Sequence, residues 1–295
     1  MDAGADDDLP RGIALAWGVA ANPQRGPRRE LNIEGIVEAA VSIADADGLG
    51  AVSMSSVASA LGFTTMSLYR YVSAKDDLIL LMQEAGTGLP PLSIGEADSW
   101  REGLTRWYRA ILEVYSVHPW LLDITADSEP NTPNSLAWLD AGLAVLANSP
   151  LDQQSRVAAL LLLSGYSRWQ GQVVRNQSGP VIPVHTLAEL ITPEQFPYLA
   201  PAIAAGAFSA DEGHAFEFGL LRILDGLEWQ FNELSAGRPG TTSEPDPDRE
   251  FAKDERVRNA RDKVRDAEQK LRELRKKERE AISKAREKAR EQARN

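Results

Sequence analysis

Hydrophobic residues between positions 32 and 85 recur every three or four places, which predicts helices separated by short turns. The first helix is predicted from about Asn32 to Ala46, and the Asp47-Gly48 pair that follows is typical of a helix end. A later helix is predicted from about Ala74 to Ala85. Between them lies the stretch Ser53 to Lys75, SMSSVASALGFTTMSLYRYVSAK, whose two short apolar stripes predict a helix-turn-helix.

The turn of this helix-turn-helix has a residue suited to each conformational requirement. Ser53 can cap the first helix, and Gly62 can adopt the left-handed conformation that ends it. Phe63 is then expected to return to the core, and Thr64 or Thr65 to cap the second helix. Leu68 and Val72 are expected to point inward and to bury one face of the second helix.

The outer surface of the second helix carries the candidate contacts to DNA. Hydroxyl groups and arginine can bond base edges or phosphates, and threonine and tyrosine can pack on the thymine methyl group. The candidates are Thr64, Thr65, Ser67, Tyr69, Arg70 and Tyr71, with Lys75 placed for a backbone phosphate. An ordinary pair of helices with one exposed polar face would show the same bare pattern.

The segment from Leu31 to Met82, and above all TTMSLYRYVSAKDDLI, resembles the N-terminal domain of the TetR family of bacterial transcriptional regulators. The resemblance implies that Thr64, Thr65, Ser67, Tyr69 and Tyr71 face DNA and that Lys75 binds phosphate. It also implies that the supporting helix covers the DNA backbone, with Ser53 and Ser55 as candidates. Where many members of the family have arginine or lysine, this helix begins Met54-Ser55-Ser56, so phosphate binding would depend more on the arm before the first helix.

That arm is the basic run QRGPRR, in which Arg25, Arg28 and Arg29 surround a Gly-Pro pair. Next to a helix-turn-helix, such an arm favours phosphate or minor-groove contact, although a solvated linker would have the same composition. Residues 1–24 are expected to be an irregular lead, and residues 25–85 the DNA-binding domain. The apolar piece Ile13 to Trp17 either packs on the body or forms a remnant helix.

A second, all-helical domain is predicted over residues 96–237, after a break at residues 86–95 that contains Pro90-Pro91. Residues 177–209 are expected to be looser, with a short helical piece near Leu187. The remaining predicted helices are Asp98 to Val117, a short one after Pro119, Thr132 to Asn148, Leu151 to Asn176 and Asp211 to Leu234.

Two helices of this domain have apolar faces too broad for one buried stripe. One face contains Val157 and Leu160 to Leu163, and the other contains Phe216, Leu220, Leu221, Ile223, Leu224 and Leu227. Such helices must bury two sides. The family resemblance supplies the partner, because it implies a four-helix interface in a homodimer. A two-fold dimer would place two recognition helices on a palindromic operator.

The same domain is rich in aromatic residues, which favours a pocket for a small apolar or aromatic effector. Taken singly, each aromatic residue fits an ordinary core equally well. The predicted lining is Trp107, Tyr108, Tyr115, Trp138, Tyr166, Trp169 and Gln170.

Catalytic and metal-binding patterns are lacking in the sequence. It has no cysteine, its 3 histidines are far apart, and no nucleophile motif frames a serine. We therefore predict no enzymatic activity, no metal and no cofactor. No apolar run is long enough for a membrane span and the N-terminus does not resemble a signal peptide, so we expect a cytoplasmic protein.

The net charge of −11 is unevenly distributed along the chain. Residues 251–295 have 17 Lys+Arg and 10 Asp+Glu, whereas the rest of the chain has 15 basic and 33 acidic residues. Residues 238–250 have the composition of a linker, and residues 251–295 that of a charged helix with a weak heptad seam. This tail could be a solvated single helix, a marginal coiled coil or a basic arm that adds DNA affinity.

Together these patterns predict an all-α protein: a three-helix DNA-binding domain, a helical ligand-binding and dimerisation domain, and a charged helical tail. The expected function is that of a repressor which leaves its double-stranded operator when an effector binds. The alternative is a helical protein-interaction module that uses the tail and has little or no specific affinity for DNA.

Overall fold

The computed structural model describes residues 9–19, 31–125, 132–176, 186, 190–193, 195–207, 212–238, 254–260, 262–267, 270, 274 and 277. Within these ranges every regular element is a helix, as the sequence predicted. The chain divides into two units, residues 1–238 and residues 239–295, which are considered separately.

The N-terminal part of the first unit contains five helices. Helix α1 is Arg11–Ala16, α2 is Ile33–Asp47, α3 is Met54–Leu61, α4 is Thr65–Leu68 and α5 is Lys75–Thr87. The side chain of Asn32 accepts a hydrogen bond from the Gly35 amide and so caps α2, one residue from the predicted start. A capping side chain therefore determines the start of α2, whereas α1 and α5 begin without a side-chain cap.

The predicted irregular lead contains helix α1, so that prediction was wrong for residues 11–16. Gly12 and Ala14 are buried against α5, and the Gly12 amide donates to Asp77 Oδ1 at 3.1 Å. A Cβ atom on Gly12 would lie 2.8 Å from that oxygen, which is why glycine occupies the contact. Of the two alternatives for this segment, both hold: it is a short helix and it packs on the body.

The C-terminal part of the first unit contains five further α-helices and a five-residue 3-10 helix; two shorter 3-10 helices, Leu49–Ala51 and Leu92–Ile94, lie earlier in the chain. Helix α6 is Trp100–Val117, the 3-10 helix is Pro119–Asp123, α7 is Pro133–Val145, α8 is Gln153–Asn176, α9 is Leu199–Ala204 and α10 is Glu212–Ser235. The long helices fall where the apolar periodicity predicted them. The predicted piece near Leu187 lies outside the described residues, apart from helical Thr186 and Leu190.

Two hydrophobic cores are present, and the 3-10 helix belongs to the first of them. We call the N-terminal helices α1 to α5 the head. The first core, the head core, comprises the buried faces of α2 to α5 together with Trp120 and Leu121. The second core joins α6, α7, α8 and α10 through residues such as Leu104, Leu160 and Leu224. The head core therefore includes residues that lie beyond the predicted boundary at residues 86–95.

The second unit is described at residues 254–260 and 262–267 and at three later positions. Residues 255–260 and 262–267 are helical, in agreement with the predicted charged helix. Val264 and Leu274, from the predicted heptad seam, are exposed in the single chain. Whether the seam has a partner stays a prediction.

Candidate DNA interface and ligand cavity

Helix α3 begins with a capping box made by two serines. Ser53 Oγ accepts from the Ser56 amide at 3.0 Å, and the Ser53 amide donates to Ser56 Oγ at 2.9 Å. Gly62 ends the helix in the left-handed region at φ +76°. The hydroxyl of Ser53, a predicted DNA contact, is thus engaged in holding the helix start, whereas Ser55 is exposed one residue into the helix.

Helix α4 is capped by Thr64, whose Oγ1 accepts from the Ser67 amide at 3.3 Å. Leu68 and Val72 are both fully buried, which confirms the predicted inward face. Phe63 does not return to the core as predicted; 41% of it is exposed. The buried positions on this side of the turn are filled instead by Val57, Ala58 and Leu68.

The predicted contacts on the second helix divide into exposed and partly buried residues. Thr64, Tyr69, Arg70 and Lys75 are exposed, whereas Thr65, Ser67 and Tyr71 are partly buried. Tyr71 packs against the head core, which removes part of its ring from the surface. The sequence interpretation overlooked Met66, which is 74% exposed and lies opposite the buried Leu68. An apolar side chain there can contact a thymine methyl group.

The three arginines of the predicted basic arm, Arg25, Arg28 and Arg29, lie outside the described residues. Their contact with phosphate or the minor groove stays a prediction. Within the described head, the exposed predicted contacts on and after α4 are the candidate DNA-facing surface: Thr64, Tyr69, Arg70 and Lys75. Its cations are Arg70 and Lys75.

A cavity of about 400 Å³ lies between α5, α6, α7, α8 and the 3-10 helix. This volume is within the usual range for small-molecule sites. Three of the seven predicted lining residues, Trp107, Tyr115 and Trp138, do line it. The rings of Trp107 and Trp138 meet edge to face with their centroids 6.2 Å apart.

The other four predicted lining residues, Tyr108, Tyr166, Trp169 and Gln170, lie outside the lining. The Tyr108 hydroxyl donates to Gln170 Oε1, and the Tyr108 and Tyr166 rings are stacked at 5.8 Å. Burial and the neighbouring Tyr166 raise the pKa of Tyr108. Aromatic content alone does not show which side of α8 faces the cavity.

The cavity side of α8 carries Leu161, Ser164, Gly165 and Arg168 instead, at helical spacing. Sequence reasoning missed Arg168, although a single cation in the stretch SGYSRWQGQVV was a usable signal. Its guanidinium donates to the Leu122 carbonyl at 2.9 Å, to the Leu121 carbonyl at 3.4 Å and to the Ile124 carbonyl.

Tyr115 lies beside Arg168 at the same end of the cavity. Burial raises the pKa of the Tyr115 hydroxyl, and the charge and hydrogen bond of Arg168 oppose part of that rise. The other polar groups of the lining are contributed by Gln83, Thr87, Thr125, Ser135 and Ser164. The cavity is therefore aromatic and apolar, with a small set of donors and acceptors.

The 3-10 helix contacts both the cavity and the head. Leu121 lines the cavity and also belongs to the head core. Its neighbour Trp120 donates from Nε1 to Asp45 Oδ1 on α2 at 2.7 Å, and His118 Nδ1 lies 2.7 Å from the same oxygen. A displacement of Leu121 by a bound molecule would therefore reach α2 through adjacent residues.

Clusters of three or more metal-binding side chains are not found in the part of the chain that the structure describes. No helix among the described residues is long and apolar enough to cross a membrane.

Comparison with known families gives two matches along the chain. Residues 36–82 match the family described as bacterial regulatory proteins, tetR family. Residues 94–231 match the tetracyclin repressor-like C-terminal domain. The first match covers the helix-turn-helix, and the second covers α6, the 3-10 helix, α7 and α8, which line the cavity together with α5.

Individual proteins show the same likeness. The chain is 34% identical over 235 residues to the HTH-type transcriptional repressor DrrR1 of Streptomyces coeruleorubidus, covering 75% of this chain and 86% of that protein. Among solved structures it is similar to apo ActR of Streptomyces coelicolor, with 25% identity, a TM-score of 0.62 and coverage of 71% and 99%. ActR in complex with actinorhodin gives 26% identity, a TM-score of 0.59 and coverage of 68% and 98%.

Proposed function

The chain belongs to the TetR family of bacterial transcriptional regulators, and from this premise we propose which of its surfaces bind operator, partner subunit and effector. Its function is that of a ligand-responsive, DNA-binding repressor. Regulators of this family are normally not enzymes, and we propose that this chain has no catalytic activity. We also place it in the cytoplasm, where a bacterial regulator meets DNA.

We propose that α4 enters the major groove of a palindromic operator. This proposal rests on one observation: α4 and the residues after it have one buried face and one exposed face. Leu68 and Val72 are fully buried, while Thr64, Tyr69 and Arg70 are exposed on the other side. A helix held in this way presents its polar residues to base edges and phosphates. Thr65, Ser67 and Tyr71 would contribute from the edge of the surface, and Ser53 through the capped start of α3.

We propose that α8 and α10 form the homodimer interface. The two helices pack together within one subunit, where the Tyr166 hydroxyl donates to the Phe216 carbonyl and Trp169 contacts the Phe216 ring. Large apolar side chains nevertheless remain exposed on both helices: Leu162, Trp169, Val174, Phe218, Leu221 and Trp229. Exposed apolar residues in such number favour burial against another protein surface, and a second copy would provide the same two helices.

The proposed effector is a small apolar or aromatic molecule that binds in the cavity. ActR, a similar protein, is known in complex with actinorhodin. A ligand releases DNA only if it binds more tightly to the conformation that cannot hold the operator. A hundredfold loss of operator affinity requires coupling of about 3 kcal/mol. The contact of Leu121 with both the cavity and the head core supports this route.

Selection of random duplex DNA by the purified full-length protein at near-physiological salt tests the proposed function. We expect enrichment of an inverted repeat, because a two-fold dimer binds two equivalent half-sites. A folded, dimeric protein that enriches no sequence would contradict the operator proposal. The alternative, a protein-interaction module without specific DNA affinity, predicts that negative result and is not favoured by the family membership.

Alanine substitutions on the DNA-facing surface should separate phosphate contacts from base contacts. Lys75→Ala and Tyr69→Ala are expected to weaken binding to all sequences, and Lys75→Ala should lower the salt slope of binding by about 1. Thr65→Ala should instead alter the preferred sequence. Titration of each variant against the selected site and altered sites, at several salt concentrations, gives these quantities. Arg109→Ala, an exposed cation on α6, is the control and should bind as the parent does.

A further inference from the structure

We infer that the cavity binds an aromatic molecule that carries an acidic group, and that Arg168 binds that group. This inference rests on the proposed function of the cavity as the effector site. It goes further because it assigns the charge of the effector and the residue that recognises it.

The first observation is the charge of the lining. Among the described residues Arg168 is the one charged side chain that lines the cavity, and no carboxylate does. Arg168 also makes no ion pair with a described carboxylate, whereas Arg175 on the same helix pairs with Asp123 at 2.8 Å. A partly buried cation without an opposite charge is costly, and an anionic ligand would remove that cost.

The second observation is how the guanidinium is held. It donates to the carbonyl groups of Leu121, Leu122 and Ile124, which fix its position but supply only partial negative charge. A guanidinium can bind a carboxylate through two parallel hydrogen bonds. Because both Nη2 protons of Arg168 are donated to the Leu122 and Ile124 carbonyl groups, a carboxylate bound in this way would displace at least one of these two carbonyl groups. The Tyr115 hydroxyl lies beside it, and Ser164 lines the cavity one helical turn before it. A ligand oxygen at this end of the cavity would therefore meet several donors.

The third observation is that most of the remaining lining is apolar or aromatic, with Gln83, Thr87, Thr125 and Ser135 as its polar members. Trp107 and Trp138 contribute their rings, and Ile111, Val114 and Leu139 complete the apolar wall. Such a wall accepts a flat hydrophobic body, while one or two polar groups fix its orientation. The shape and charge of the cavity thus suit an aromatic acid better than a neutral or cationic molecule.

The same contacts explain how an acid would act as the signal. The carbonyl groups that hold Arg168 belong to Leu121 and Leu122 of the 3-10 helix and to Ile124 directly after it, and this segment also contacts Asp45 of the head through Trp120. An anion that draws the guanidinium toward itself competes with these carbonyl groups. The ligand therefore gains differential affinity for a conformation in which the segment has moved.

A pair of dyes that differ in one charged group tests the inference. Anilinonaphthalene sulfonate is an aromatic anion, and phenylnaphthylamine is the same ring system without the sulfonate. Both change fluorescence on binding, so the Kd of each can be measured with the full-length protein. We compare the wild type with Arg168→Gln and with Arg175→Gln, which loses a hydrogen bond to the Pro119 carbonyl outside the cavity.

The wild type is expected to bind the sulfonate more tightly than the neutral dye. Arg168→Gln should raise the Kd of the sulfonate about 10- to 100-fold, the range for a hydrogen bond to a charged group, and leave the Kd of the neutral dye within about twofold. Arg175→Gln should leave the ratio of the two constants unchanged, which shows that loosening of the 3-10 helix is not the cause.

A different result would overturn the inference. If the wild type prefers the neutral dye, or binds neither, the cavity does not select an anion. If Arg168→Gln weakens both dyes equally, Arg168 has a structural role only. The proposed function is tested separately, because operator selection without dye does not depend on the charge of the effector. If the protein selects an operator but Arg168→Gln does not change the ratio of the two Kd values, the inference is rejected and the proposed function stands.

Discussion

Trp120→Ala is expected to lower the free energy of unfolding by about 3–5 kcal/mol, the range for removing a large buried aromatic side chain. The side chain is 2% exposed and belongs to the head core. It lies so close to α5 that a Cβ atom on Gly86 would be 3.0 Å from Cζ2. The substitution also leaves Asp45 Oδ1 without its bond from Nε1. Operator binding should fall with the stability of the head.

Urea denaturation followed by circular dichroism measures the effect of Trp120→Ala. Tyr198→Ala is the control, since this aromatic ring is almost fully exposed and its loss should change stability by no more than about 0.5 kcal/mol. Trp120→Phe keeps most of the packing and removes the hydrogen bond, so it should cost about 1–3 kcal/mol. If Trp120→Ala lowers the free energy of unfolding by no more than the Tyr198→Ala control does, the stability of the head does not depend on the 3-10 helix.

The second large effect is expected from placing charged side chains on the proposed dimer interface of α8 and α10. The double variant Leu162→Glu and Leu221→Glu should convert the dimer into a monomer, because four carboxylates would have to be buried in one two-fold interface. A monomer binds one half-site, so the affinity for a palindromic operator should fall about 100-fold or more. Both leucines are exposed in the single chain, so the fold of each subunit should persist.

Light scattering and operator titration measure the two parts of this prediction. Leu92→Glu introduces the same charge at an exposed leucine away from α8 and α10, and should leave both the dimer and the operator affinity unchanged. If the double variant remains dimeric, the interface is elsewhere. If it becomes monomeric and still binds the full operator like the parent, a single subunit is sufficient for recognition.

The helix starts of the head could be predicted because local residues determine them, whereas α4 ends at Leu68, before the predicted inward residue Val72. Asn32, Ser53 and Thr64 each cap a helix through a side-chain oxygen, and Gly62 takes the left-handed conformation that its position requires. These interactions involve residues only a few places apart. The burial of Leu68 and Val72 follows from the same local pattern.

The cavity lining could not be predicted in the same way. Whether Tyr108 or Tyr115 faces the cavity depends on how α6 packs against α7 and α8, which involves residues far apart in the sequence. Arg168 was missed because its partners are backbone carbonyl groups of another segment, and such partners leave no trace in residue type. Phe63 is exposed, although an apolar residue directly after a helix-ending glycine was predicted to return to the core.

The contact of α1 with α5 determines where the DNA-binding head can be cut from the rest of the chain. A fragment that starts at Leu31 would match the helix-turn-helix in sequence, yet it would lose Leu15 and Ala16 from the head core and the bond from Gly12 to Asp77. That bond is formed with the first turn of α5, directly after the residues that are proposed to face DNA. A truncated head intended for binding studies should therefore begin before Arg11, and a fusion partner is better attached elsewhere.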